Sequence, residues 1–450
     1  MARERSVVVI GAGVSGLAAA CKLAAAGFTV TIVEARDRIG GRCFTLHDSS
    51  GFPIELGAEF IHGRPSEILE PLQKANVAIT EVDGDPWCVQ DGTLHRCEFF
   101  SQVESILDKM DNAEPDESFL GFLENHFQNP TNDRSLDDAK RRALGYVSGF
   151  NAADPALVGV HWLVEGMRAE ERIDGHRAFR SKNGYTDLVE IFRRQLAGHD
   201  VKIHTGTIVK RVMWKPGNVE IATHDKPGSA KFVASCALIT VPLAVLQAPV
   251  EDLGAIEFVP SLLKEKASAL TKLEMGKVIR VVLRFRERFW DSITPAGDRN
   301  SNLSDMSFLF SQDEYFPTWW TTMPAKFPII TGWAPFRSGE RLSGQSQDFV
   351  TQRSLQTLGG LLKINPHKLE QMLDVSHFHD WQTDPFARGA YSYGKAGSDG
   401  AQATLAAPVA ETLFVAGEAT DTSGHNGTVH GAIASGHRAA EEILTNSSPQ

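Results

Sequence analysis

With 450 residues the chain exceeds one ordinary core and calls for two domains, and its 42% hydrophobic and 22% charged content excludes a disordered or collagen-like polymer. A formal charge of −11 argues against a nucleic-acid binder, which would carry a basic face, and is compatible with cationic small molecules. Five cysteines, Cys21, Cys43, Cys88, Cys97 and Cys236, are odd in number and lack a C-x-x-C pair, so reduced thiols are expected rather than a disulfide framework or a zinc site. A cytoplasmic protein follows as the expectation, because MARERS runs straight into the first apolar segment and leaves no room for a signal peptide.

The short apolar run Val7 to Ile10 predicts a buried strand, followed at once by Gly11, Gly13 and Gly16 in G-x-G-x-x-G spacing and an alanine-rich helix that begins at Val14 and Ser15. Such a turn cradles a pyrophosphate on free N–H groups at a helix N-terminus. A second strand, Phe28 to Val33, ends in Glu34, placed to hold a ribose diol, and no basic residue stands there for a 2′-phosphate. The glycines also explain why the apolar window Val7 to Val33 is not a membrane span.

The extension Glu34-Ala35-Arg36 through Gly40, Gly41 and Arg42, EARDRIGGR, resembles the long FAD fingerprint of the flavin amine oxidase superfamily. That resemblance implies FAD, with Ala35, Arg36, Gly41 and Arg42 along the cofactor. It also implies that GFPIELGAEFIHG brings Gly57 and Ala58 to the flavin, Glu59 to the flavin side or the substrate side, Phe60 to a substrate cage and His62, as a catalytic residue, to the substrate tunnel.

Further along, residues 65–76 read as a helix, and 183–196 as an amphipathic helix with Leu188, Phe192 and Leu196 on one face. VKIHTGTIVKRVMW and ALITVPLAVL carry strand signals. The resemblance places a backbone contact to adenine at Val209. Residues 261–271 predict a helix and Lys277 to Phe285 a strand, with Ile279, Val281, Leu283 and Phe285 on one face and Arg280 and Arg284 on the other. Lys277 shares the parity of the apolar set and is expected to point inward. M-G-K-V resembles the segment carrying the lysine that holds a water beside flavin N5, so Lys277 is assigned a catalytic role.

Phe316, Trp319, Trp320, Phe327 and Trp333 form an aromatic cluster read chiefly as core. His377 and His379 alternate without a carboxylate or cysteine pattern, so no metal is expected. HDWQTDPFARGAYSYGKAG resembles the polyamine oxidase and histone lysine demethylase branch, with Trp381 at the cofactor and Tyr391 and Tyr393 in the substrate cage. No cysteine lies in this segment, so the FAD is expected to be noncovalent. In the final strand, loop and helix, the resemblance gives Gly417 and Glu418 to the ribityl chain and Thr428 and Val429, at the helix start, to the flavin ring. His425 stands where relatives place an aromatic cage residue. It is assigned to the catalytic site, to polarise the cage or to cap the loop.

These readings combine into an α/β two-domain fold: a Rossmann-like FAD-binding domain (1–76, 183–255, 379–450) interleaved with a substrate domain (77–182, 256–378) on a mixed sheet flanked by helices. The implied activity is FAD-dependent oxidation of a small-molecule amine, with O2 as acceptor. Rivals on the same scaffold are an L-amino acid oxidase, for which Arg64 would have to meet the substrate carboxylate, and a flavin desaturase or isomerase of a lipid-like substrate.

Overall fold

The computed structural model describes residues 5–48, 50–97, 99–113, 115–128, 133–223, 231–295 and 301–446. Five short strands form a parallel sheet in the order Val201–His204, Thr29–Val33, Ser6–Ile10, Cys236–Ile239, Leu413–Val415. Val7, Val8, Val9 and Ile10 are all buried, as expected of a strand covered on both faces. Strand order reverses beside Ser6–Ile10, so the crevice at the carboxyl ends of the strands opens where the glycine turn lies. The first helix, Val14–Ala25, packs against the last, Val429–Asn446: a Cβ on Gly436 would overlap the Ser15 carbonyl, and Ser15 Oγ lies 3.3 Å from Ser435 Oγ.

A second, seven-stranded sheet runs Leu373–Phe378, Val278–Phe285, Ile329–Pro335, Thr318–Thr321, Met306–Phe310, Asp85–Gln90, Thr93–Arg96. It is mixed, because Met306–Phe310 pairs parallel with Asp85–Gln90 while its other pairings are antiparallel. One face carries a core of Ile279, Val281, Leu283, Phe285, Trp290 and Trp319 under the helix Gln347–Leu362. A third core, built on the helices Phe119–His126, Arg134–Phe150 and Val160–Glu171, stands beside it. The mixed α/β two-domain architecture is as the sequence implies.

Two expectations are corrected. Glu257–Val259 pairs with Val209–Lys215, and Leu273–Met275 with Ser392–Gly394, while Ala269, Leu270, Leu273 and Met275 share a core with Val8 and Ile10. The chain therefore crosses to the large sheet near residue 277, not at 256: an apolar helix face does not announce which core it joins. Cys88 and Cys97 are disulfide-bonded, whereas Cys21, Cys43 and Cys236 are free. A hairpin brings that pair together, with Cα atoms 5.5 Å apart across a separation of nine residues, and so removes the case for a uniformly reduced chain. Among the described residues no helix is long and apolar enough to cross a membrane.

Candidate active site

One cavity of about 1360 Å3 extends from the glycine turn into the space between the large sheet and the helical core. Ordinary ligand pockets hold roughly 300–1,000 Å3, so this one has room for a dinucleotide and a second molecule.

At its nucleotide end the construction is mostly backbone. Gly11 has φ +108°, and a Cβ there would press on Thr240 Oγ1 at 2.7 Å; a Cβ on Gly16 would overlap the Gly11 carbonyl oxygen. At Gly13, by contrast, a Cβ would meet nothing within 4 Å, because that side of the turn faces the open cavity. Glu34 is 4% exposed, and its carboxylate accepts from the N–H of Ala12 at 2.7 Å and of Arg36 at 2.9 Å, which ties the glycine turn to the second strand. Ala35, Arg36 and Val209 line the same end. Arg36 is fixed by Asp384 at 2.8 Å; against the pull of burial, the hydrogen bond from His379 and then the Arg36 charge hold the Asp384 carboxyl well below its ordinary range.

Midway, Arg42 donates to the Ala390 carbonyl at 2.7 Å and to Glu418 at 2.9 Å. Glu418 in turn accepts from Ser392 Oγ at 2.5 Å and Gly427 N–H at 3.0 Å, so one buried carboxylate joins three distant segments. Gly41, Ala58, Gly417, Thr428 and Val429 line this part, and the N-terminus of the last helix faces the cavity with the unpaired N–H groups that any helix start carries. Gly57 lines it too, but its lack of a Cβ is demanded by the Arg42 carbonyl rather than by a ligand. Trp381 closes the wall, donating to the Leu56 carbonyl at 2.8 Å. An open glycine face, two helix N-termini and a buried carboxylate at the end of the second strand fit FAD.

The far end is aromatic. Phe60, Trp320, Trp333 and Tyr391 line it, with Phe60 and Trp320 ring centres 5.5 Å apart and Trp320 and Trp333 5.6 Å apart. The aromatic cluster therefore divides: Phe316 and Trp319 are core, whereas Trp320 and Trp333 face the cavity. His62 lines the cavity edge-on to Phe150, and burial pushes its imidazole down to about 4. Glu59 is clamped by Arg180 at 2.7 Å, Arg280 at 2.6 Å and Trp320 Nε1 at 3.0 Å. Burial works to raise its carboxyl, but the two guanidiniums prevail and hold it below the ordinary value.

Several assignments are corrected. Lys277 lies one residue before its strand begins at Val278; its ammonium is half-exposed, pairs with Glu340 at 2.7 Å and does not line the cavity. Parity failed because it was extended past the strand end. The basic residue of that strand facing the cavity is Arg280, 4% exposed, with Nη1 donating to the carbonyls of Glu55 and Gly57. Arg280 does stand on the face opposite the apolar set, as alternation predicts, and that face is buried as well. Tyr393 is 3% exposed and belongs to the helical core with Phe119 and Phe122, not to the cage; Tyr391, two residues earlier, lines the cavity and donates to the Phe150 carbonyl at 2.6 Å. His425 does not line the cavity. Its backbone N–H is held by Asp421 at 2.9 Å and its carbonyl by Thr428 Oγ1 at 2.7 Å, bonds that fix the loop through the main chain and leave the imidazole out of it. Arg64 is exposed and outside the lining, so the cavity as it stands offers no support for its meeting a substrate carboxylate. His379 pairs with Asp384, and His377 lies 3.9 Å from Asp48, so these two histidines share no site.

Residues 14–99 and 94–444 match the family of flavin containing amine oxidoreductases, and the chain belongs to that family. It is therefore an FAD-containing enzyme acting on amines. It is similar to a probable polyamine oxidase 4 of Arabidopsis thaliana, 25% identical over 97% of this chain and 86% of that protein. A lysine-specific histone demethylase 2 of Homo sapiens is 27% identical over 98% of this chain and 53% of its own length. Among solved structures, a wild-type putrescine oxidase bound to putrescine superposes with a TM-score of 0.78 and 20% identity, covering 98% of this chain and 99% of that one, a likeness of fold.

Proposed function

We propose that the protein oxidises a small amine at the carbon next to nitrogen, releasing an imine that hydrolyses to a carbonyl compound, with O2 as the final acceptor and hydrogen peroxide as its product. The observation that carries this reading is the single continuous cavity, backbone and carboxylates at one end and aromatic rings at the other, in a chain of this family. Bound noncovalently, FAD supplies a two-electron acceptor. The chain's own groups do the rest.

Phe60, Trp320, Trp333 and Tyr391 enclose the amine and exclude water around the carbon that gives up hydride. His62, kept neutral by burial, adds no positive charge that would oppose a cationic substrate, and its ring offers an acceptor to an amine N–H. Arg280 is a positioning residue: it grips the carbonyls of Glu55 and Gly57 and the carboxylate of Glu59, fixing the segment that lines the middle of the cavity. The N-terminus of Val429–Asn446 offers its field to negative charge gathering on the bound ring.

The test is to purify the protein, release its yellow cofactor with acid, and follow peroxide with putrescine, spermidine, spermine, aromatic monoamines, methylated lysine peptides and amino acids. Peroxide with an amine is expected. Flavin-loaded protein that yields none with any of them, yet desaturates a lipid-like substrate, would sink the reading.

A further inference from the structure

Beside the aromatic end, three groups meet that neither the cofactor cradle nor the cage employs. Glu170 comes from the last turn of the helix Val160–Glu171, His425 from the loop before the final helix, and His430 from that helix's first turn. One ligand atom from each lies within 4.8 Å of the other two. The rings of His425 and His430 stand edge to face with centres 4.6 Å apart. His430 is 97% buried by its 3% exposure, and its Nε2 has no hydrogen-bond partner among the described residues; the same holds for His425 Nδ1. Buried nitrogens without a hydrogen-bond partner are rare in folded chains, so two on adjoining rings call for a common occupant.

We propose that Glu170, His425 and His430 form a binding site for one divalent transition-metal ion of the imidazole-preferring class, zinc foremost. Two imidazole nitrogens and one carboxylate oxygen are a donor set that zinc takes with a fourth position open. Bonds of about 2.0–2.2 Å place tetrahedral ligand atoms roughly 3.4 Å apart. The ligand atoms now lie within 4.8 Å of one another, so the side chains must draw in by about 1.4 Å or less per pair. Both histidines are held neutral, His430 at about 3 through burial and the neighbouring rings, so their lone pairs are free for a metal. Charge favours a cation as well: Asp421 and Glu67 face His425 and outnumber Arg172, and burial rather than any counter-charge accounts for the raised Glu170 carboxyl at about 7. Glu170 and His430 line the cavity, so an ion here stands in its wall and would compete with a cationic amine.

The experiment uses chelator-treated, FAD-loaded protein titrated with zinc chloride alone by calorimetry slightly above neutral pH. One zinc per chain is expected, with Glu170→Gln, His425→Gln and His430→Gln each weakening it at least tenfold. The second group, Asp116, His161 and Asp399, of which only Asp399 is exposed, is the control. No uptake, unchanged affinity in all three variants, or loss on Asp399→Asn instead would overturn the site. Should the variants fold poorly, X-ray absorption at the zinc edge of the unaltered protein decides: imidazole scattering supports the site, an all-oxygen shell refutes it. Because flavin content and peroxide are scored separately, failure here leaves the amine oxidase reading intact, and the reverse.

Discussion

The two ends of the cavity are built on opposite principles. The nucleotide end uses main chain at two forced positions, Gly11 and Gly16, the open face of Gly13, and one carboxylate, Glu34, most of it within the first 36 residues. The amine end uses side chains from the loop after Leu56, three strands of the large sheet and the segment around Tyr391. A cradle made of backbone needs particular residues at particular spacings. A cage made of side chains needs only bulk and polarity, delivered from anywhere.

The comparison can be broken at its cradle first. Gly16→Val drives a side chain into the Gly11 carbonyl and Thr240, and the expected result is protein without flavin absorbance; retention of the yellow cofactor would show that the turn is not where the pyrophosphate sits. Next in size is Glu59→Gln, which strips the counter-charge from Arg180 and buried Arg280 and is expected to cost about 3–5 kcal/mol in urea unfolding, far more than a surface pair. Glu34→Ala removes a buried acceptor and is expected to weaken FAD about ten- to a hundredfold in equilibrium dialysis, with amine KM unmoved once the cofactor saturates.

Smaller effects sharpen the other end. His62 has a folded value near 4, below its ordinary 6.5, so the unfolded chain binds its proton first. Its contribution is complete above 6.5 and is lost as pH falls toward 4, by up to about 1.4 kcal/mol per pH unit. Unfolding midpoints of His62→Gln against the parent over that window should show a correspondingly flatter acid limb. The smallest change belongs to Lys277→Met. An exposed pair with Glu340 is worth about 0–1 kcal/mol, and turnover within about twofold of the parent is expected; a large fall would restore Lys277 to the chemistry.

What could be read from sequence follows the same division. Strand, glycine turn, helix and Glu34 were legible because each is a local pattern with a local cause. The mixed sheet was legible as strands but not as an order, since pairing Met306–Phe310 with Asp85–Gln90 joins residues more than two hundred apart. Arg280 was hidden because periodicity tells which residues share a face, not whether a second layer covers the other one. Tyr391 and Tyr393 flank one residue in Y-S-Y yet end in different places, because Ser392–Gly394 pairs with Leu273–Met275 and turns Tyr393 into the helical core. The union of Glu170 with two histidines some 255 and 260 positions later left no trace in spacing.

The packing of Val14–Ala25 against Val429–Asn446 bears on how the protein is born. A ribosome makes the glycine turn and its helix some four hundred residues before the helix that packs on it, so Val14–Ala25 waits through that stretch of synthesis without its permanent neighbour. Its alanine-rich surface must be kept from other company meanwhile. Nascent chains arrested before Leu413 should remain protease-sensitive even in excess flavin.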